Sequence, residues 1–216
     1  MNNSIVANNA LFAGFNPDEI PSLLSFLQAR EHHYARGEML QSIGRTFHHA
    51  GIVIKGRIEE SCIIENFSKI KLGQFFAGDL YGIPFAIEKI KSPIQLTAQS
   101  DCEVIELDLR NLFSNPDHLP PFYGRLMSNL TKFLAHQDIH TTIKLHIASQ
   151  KNIHDKLIVY LHHLPKMANG YRQVPFSQTE LAAFLGVNRS ALARTISKMK
   201  TSGEIEIHNN KIRLVH

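Results

Sequence analysis

The residues of this chain best suited to chemistry lie between positions 177 and 198. Ser177, Gln178 and Thr179 come first, then Asn188, Arg189 and Ser190, with Arg194 and Lys198 at further intervals of four. Arginine donates two parallel hydrogen bonds to a guanine edge, a good pair discriminating by roughly 1–3 kcal/mol, and serine reads base edges less strictly. Short hydroxyl and amide side chains and lysine hold phosphates, which set register without reading sequence. These types and spacings point to double-stranded DNA. Arg189, Ser190 and Arg194 would face bases, Ser177, Gln178, Thr179 and Lys198 would face phosphates, and Asn188 would sit at the turn between the two groups.

Other reactive side chains are more scattered. The thirteen histidines include His32-His33, His48-His49, His162-His163 and the pair His136/His140. Histidines at i and i+4 can chelate a metal on one helix face, so heme or metal sensing stays open as an alternative, although no cofactor is expected. Cys62 and Cys102 are the only cysteines, too few for a four-thiolate iron–sulfur cluster or a cysteine-only zinc site. Inert thiols in a reducing compartment are the plainer expectation, with thiol redox sensing the alternative. No nucleophile–base arrangement, phosphate loop or acid pair is legible, so no enzyme is expected.

The 177–198 residues need two helices to position them. Ser177 and Glu180 have the spacing of a capping box, Leu181 and Leu185 face inward, and Ala182 is small enough for a second helix to cross closely. Gly186 permits the positive φ of a tight turn. Asn188 can cap the next helix, whose apolar members are Leu192, Ile196 and Met199. Two helices joined by so short a turn define a helix-turn-helix. IEIHNNKIRLV supplies a hairpin around Asn209-Asn210, which would form a wing. A preceding helix carries Ile153, Leu157, Tyr160, Leu161 and Leu164 on one face and ends at Pro165.

Charge divides the chain in the same place. Residues 1–147 hold 13 Lys/Arg against 15 Asp/Glu, net −2, whereas residues 148–216 hold 10 against 4, net +6. A polyanion partner for the last third is implied. Upstream, a helical start over LFAGFNPDEIPSLLSFLQAR, with Asn16 and Pro17 at its cap, gives way to short β-branched runs punctuated by glycines at 37, 44, 51, 56, 73, 78 and 82. That spacing predicts a β sandwich or barrel, and the absence of a long helix over 36–107 argues against a parallel sheet. Residues 120–147 predict one long helix. Its stripe of Leu126, Met127, Leu130, Phe133 and Leu134 yields to a polar window at 136–142 before Ile143, Leu145 and Ile147 restore it. Such a helix is expected to pair with its own copy in a coiled-coil-like homodimer seam, the alternative being packing on its own β domain alone. No apolar run is long enough for a membrane helix, and MNNSIVANNALFAGF lacks the order of a secretory signal. A cytoplasmic protein with no membrane partner is the expectation.

Taken in order, YARGEML (34–40), GIVIKGRI (51–58), FFAGDLYG (75–82), AQSDCEVIELD (98–108), the long helix and the helix-turn-helix make the chain resemble the CRP/FNR family of bacterial transcription regulators. The resemblance implies an α+β fold: a cyclic-nucleotide-binding-like β roll (a double-stranded jelly roll) over 1–119, a dimerisation helix over 120–147 and a winged helix-turn-helix over 148–216. It implies a homodimer on a palindromic operator, RNA polymerase as a partner, and a small-molecule effector near Gly78, Asp79, Gly82, Ile83, Thr141 and Thr142.

Departures from the family pattern narrow that effector. Cyclic-nucleotide binders place a glutamate for the ribose after the Gly-Asp-x-x-Gly segment and later an Arg-Ser or Arg-Thr pair for the phosphate. Here Ile83 follows Gly82, and Ser92-Pro93 stand where the pair would be. Without that arginine nothing neutralises a cyclic phosphate, and Pro93 has no N–H to offer, so cyclic AMP is not expected. The N-terminal cysteines of FNR-type clusters are also missing. The effector is left unidentified, or binding is constitutive. Ser190 replaces the glutamate with which many members accept from cytosine, so the half-site should differ from the TGTGA and TTGAT types.

Overall fold

Among the described residues, glycine-separated runs rich in β-branched residues form eight strands in the first half of the chain. The computed structural model describes residues 3–63, 69–113 and 119–215. Two short helices, α1 (Asn3–Ala7) and α2 (Ile20–Phe26), precede β1 (Arg30–Tyr34), β2 (Met39–Gln41), β3 (Ala50–Lys55), β4 (Arg57–Ile63), β5 (Lys69–Phe76) and β6 (Leu80–Tyr81). A helix of six residues, α3 (Ile83–Glu88), then leads to β7 (Gln95–Ala98) and β8 (Cys102–Leu107). The strands pair antiparallel in two four-stranded sheets, ordered β1-β8-β3-β6 and β2-β7-β4-β5.

Strand β3 shows why these residues form a roll. Successive strand side chains point to opposite faces, and all of Ala50–Ile54 is buried. Val53 faces a cluster drawn from both sheets: Phe47, Ile58, Tyr81, Ile94, Leu96, Ala98, Cys102 and Val104. Ala50, Ile52 and Ile54 face the other way, into a cluster formed with Leu11, Phe12, Leu23, Ile83, Ile105 and Leu107. Each fully buried aliphatic side chain contributes about 1.5–3 kcal/mol relative to exposure, so the strand is held from both faces.

The chain divides into two compact units, Met1–Leu134 and Ala135–His216, within the long helix α4 (Tyr123–Ala148). Leu126 and Leu130 are buried in the first unit, with Met127, Phe133 and Leu134 packed beside them. Ile147 is buried in the second unit, with Ile143 half-buried against the same core. Positions 135–142 between them are all exposed. Leu145 is 69% exposed, contrary to its expected place in the stripe. Two residues on a helix turn through about 200°, so a side chain midway between Ile143 and Ile147 must face away from their shared core. Among the described residues no helix is long and apolar enough to cross a membrane.

The second unit continues with α5 (Ile153–His163), β9 (Arg172–Gln173), α6 (Gln178–Leu185), α7 (Arg189–Thr201), β10 (Ile205–His208) and β11 (Lys211–Leu214). Leu157, Tyr160, Leu161, Leu181, Ala182, Leu185, Leu192, Met199, Ile205 and Ile212 form its core. The expected hairpin is present: Asn209 takes a positive φ of 52° in the turn, and β11 also pairs with β9, a strand the sequence did not reveal.

Candidate nucleic-acid interface

Local hydrogen bonds fix the two helices that carry the candidate residues. The Ser177 hydroxyl accepts from the Glu180 N–H at 3.3 Å, and the Glu180 carboxylate accepts from the Ser177 N–H at 2.8 Å. This capping box also holds the Glu180 carboxyl below its usual pKa, which suits an acid in the first helical turn. Helix α6 ends at Gly186 with φ 64°, a conformation that strains any residue with a Cβ. At the start of α7 the Asn188 side-chain oxygen accepts from the Ser190 N–H at 2.9 Å and the Ser190 hydroxyl at 2.6 Å. Asn188 and Ser190 are thus engaged with each other, a pairing that spacing alone did not foretell.

Helical geometry sorts the rest of α7. At 100° per residue, Ser190, Arg194, Ser197, Lys198 and Thr201 share an arc opposite the buried Leu192 and Met199. Arg194, Ser197, Lys198, Thr201 and Ser202 line a shallow groove of about 490 Å³. Ser177, Gln178, Thr179, Asn188, Arg189, Ser190, Arg194 and Lys198 are all exposed. Among the described residues neither the Arg194 nor the Lys198 side chain makes an ion pair within 4 Å or a hydrogen bond, although the charge of Lys198 is felt by Glu204. Ser197 and Thr201 were missed from sequence, although both follow from carrying the Arg194 face one turn onward. Lys156 is differently used: its ammonium donates to the Leu185 carbonyl at 3.3 Å and caps the end of α6.

A second clamp was also invisible in the sequence. His154, in the first turn of α5, bonds Asp155 Oδ1 through Nδ1 at 2.9 Å and Glu204 Oε2 through Nε2 at 2.7 Å. The bonds to Asp155 and then Glu204 raise the His154 pKa. Glu204 lies just before β10, so this imidazole ties the start of α5 to the base of the hairpin.

The Crp-like helix-turn-helix domain family matches residues 155–216. The C-terminal part of the chain is thus similar to a Crp-like helix-turn-helix domain. No curated protein sequence matches the chain. Solved structures do match: the catabolite activator protein of Thermus thermophilus is 18% identical, with TM-score 0.54 and coverage of 96% of this chain and 94% of that one. The c-di-GMP responsive regulator CLP of Xanthomonas campestris is 21% identical, with TM-score 0.55 and coverage of 93% and 100%. CprK complexed with OCPA is 16% identical, with TM-score 0.61 and coverage of 90% and 91%. The chain therefore shares its fold with these solved regulators, the roll preceding the long helix in sequence and the Crp-like region following it.

Within the first unit, the residues expected around an effector take part in the turns and core of the roll itself. Gly78 (φ 95°) and Gly82 (φ 74°) shape the turns flanking β6. The Asp79 carboxylate accepts from the Phe76 N–H at 2.7 Å, which pins the turn between β5 and β6. A Cβ on Gly82 would lie 2.7 Å from the Phe47 ring. Ile83 is buried in the outer cluster. The buried Ser92 hydroxyl donates to the Ile94 carbonyl at 2.6 Å and accepts from its N–H at 3.2 Å. Thr141 and Thr142 are exposed on α4, where Thr141 donates to the Gln137 carbonyl at 2.9 Å.

Aromatic side chains occupy the inside of the roll. Phe47 stacks on Phe85 with centroids 5.2 Å apart, and Phe75 lies 6.1 Å from Tyr81. The Tyr81 ring covers Gly51 so closely that any Cβ there would overlap it. The Tyr81 hydroxyl is buried without a hydrogen-bond partner among the described residues, and burial holds its pKa well above the usual value. Nearby the Tyr34 hydroxyl donates to Glu106 Oε1 at 2.9 Å. His32 and His49 lie 3.4 and 3.8 Å from the other Glu106 oxygen. Cys62 and Cys102 are free thiols, and among the described residues no three His, Cys, Asp or Glu side chains are grouped to hold a metal ion.

Proposed function

We propose that the protein is a homodimeric, sequence-specific DNA-binding transcription regulator of the CRP/FNR type that works in the cytoplasm and acts on transcription through RNA polymerase. Residues 1–119 form the sensor, 120–147 the dimerisation helix and 148–216 the DNA-binding domain. The observation that carries this reading is the outward face of α7, where Arg194 and Lys198 present exposed donors beside the capped Ser190. In the major groove Arg189 and Arg194 read guanine, while Ser177, Gln178, Thr179 and Lys198 bind phosphates.

The sensor does not take cyclic AMP. Three features support this: the hydrogen-bonded Ser92 where the phosphate-binding pair would stand, the buried Ile83, and the aromatic filling around Tyr81. The structural neighbours are named for different signals, one for c-di-GMP and one complexed with OCPA, so the shared fold does not fix the effector. With the roll filled, operator binding is constitutive unless an effector displaces those rings.

Selection of bound duplexes from random DNA tests the reading. A palindromic consensus with half-sites about one helical turn apart, recovered without cell extract and unchanged by cyclic AMP, is the expected result. Recovery of no consensus with or without extract would refute DNA recognition, and dependence on cyclic AMP would refute the sensor assignment.

A further inference from the structure

We propose that His146 and His163 form a two-histidine site for a borderline divalent transition metal of the zinc type, pinning the last turn of α4 to the end of α5. His163 Nε2 lies 3.4 Å from His146 Nδ1, with the rings 83° apart and their centroids separated by 5.7 Å. Zinc–imidazole bonds of about 2.0–2.1 Å at a tetrahedral angle set two ligand nitrogens about 3.4 Å apart. The same bonds at an octahedral right angle would bring them to about 2.9 Å. The observed spacing is thus that of a tetrahedral edge.

The rest of the arrangement suits the assignment. The facing Nδ1 and Nε2 form a hydrogen bond in which one ring donates and the other accepts. When the donor ring moves its proton to its far nitrogen, both rings offer a lone pair to the metal. Both side chains are exposed, which lets an ion enter and lets water fill the remaining positions. Their backbones are fixed: Ile147 and Leu161 are buried beside them, and the His146 carbonyl accepts from Ser149 Oγ at 2.7 Å and Gln150 Nε2 at 3.0 Å. Imidazole donors favour zinc, copper and nickel over magnesium or calcium. All these groups belong to the second unit but lie outside α6 and α7, the two histidines on α4 and α5, so the site stands independently of the DNA-binding reading.

Calorimetric titration of the untagged full-length chain with zinc chloride, without DNA, tests the proposal. One zinc per chain is expected, together with a rise in thermal midpoint that EDTA reverses. His146→Ala and His163→Ala should each weaken binding at least tenfold, because each leaves a single ligand, while melting as wild type in EDTA. His136→Ala/His140→Ala should bind as wild type. Absence of zinc binding, binding indifferent to His146 and His163, or binding lost only in the His136/His140 variant would overturn it.

Discussion

Arg194 and Lys198 leave α7 on the same arc with exposed donors, yet the two should behave differently on DNA. A guanidinium that reads guanine contributes about 1–3 kcal/mol of discrimination. Arg194→Ala should therefore weaken operator binding by roughly 5- to 150-fold and leave random DNA far less affected, as measured by competition titration. A phosphate contact carries no sequence information, so Lys198→Ala should weaken both duplexes alike and reduce the slope of log affinity against log salt by about 1. Equal losses on both duplexes for Arg194→Ala would deny it a base. In the roll, Tyr81 makes the opposite kind of case. Its hydroxyl is buried and unbonded among the described residues, and such a donor costs roughly 1–3 kcal/mol. Tyr81→Phe keeps the ring against Gly51 and should raise the denaturant midpoint; a fall would mean that the hydroxyl has a partner.

At the scale of elements, the helix-turn-helix was readable because its determinants are local. The Ser177/Glu180 box, Gly186 and the Asn188 cap each act within three residues. The pairing of Ser190 with Asn188 was not foreseen, since either side chain could equally have faced solvent. Longer-range features escaped for a different reason: β9 pairs with the distant β11, and His154 meets Glu204 across fifty residues. That clamp has a pH signature. The His154 pKa is raised in the fold, so its stabilisation is complete below the unfolded value of about 6.5 and is lost as pH rises through the folded value. The Asp155 and Glu204 carboxyls are lowered, so their share is present above about pH 4 and is lost on acidification through the folded values. All three side chains are nearly half exposed, which keeps the effect small. Raising the pH from 6 to 8.5 should lower the thermal midpoint of the wild type more than that of His154→Ala. Identical pH dependence in the two proteins would remove the clamp from the account.

For the whole molecule, the proposed reading of a palindrome requires two copies of α7, and α4 is the element proposed to pair them. Positions 135–142 are exposed, and Ile139 stands 56% exposed among polar neighbours. A twofold interface uses the same patch on both copies, so Ile139 of one protomer would approach its equivalent in the other. Ile139→Asp would then set two carboxylates against each other where two apolar groups had been, whereas within one chain it changes only a surface residue, typically worth within about 0.5 kcal/mol. The predicted outcome is a monomer by sedimentation equilibrium with an unchanged thermal midpoint in EDTA at a concentration where the wild type is also monomeric. Affinity for the palindromic operator should fall to that of a single half-site, because the second α7 is no longer held about 34–36 Å from the first. Binding to an isolated half-site should be untouched. A dimer that survives Ile139→Asp would move the seam off this face of α4, and one that dissociates without loss of operator affinity would separate dimerisation from DNA recognition.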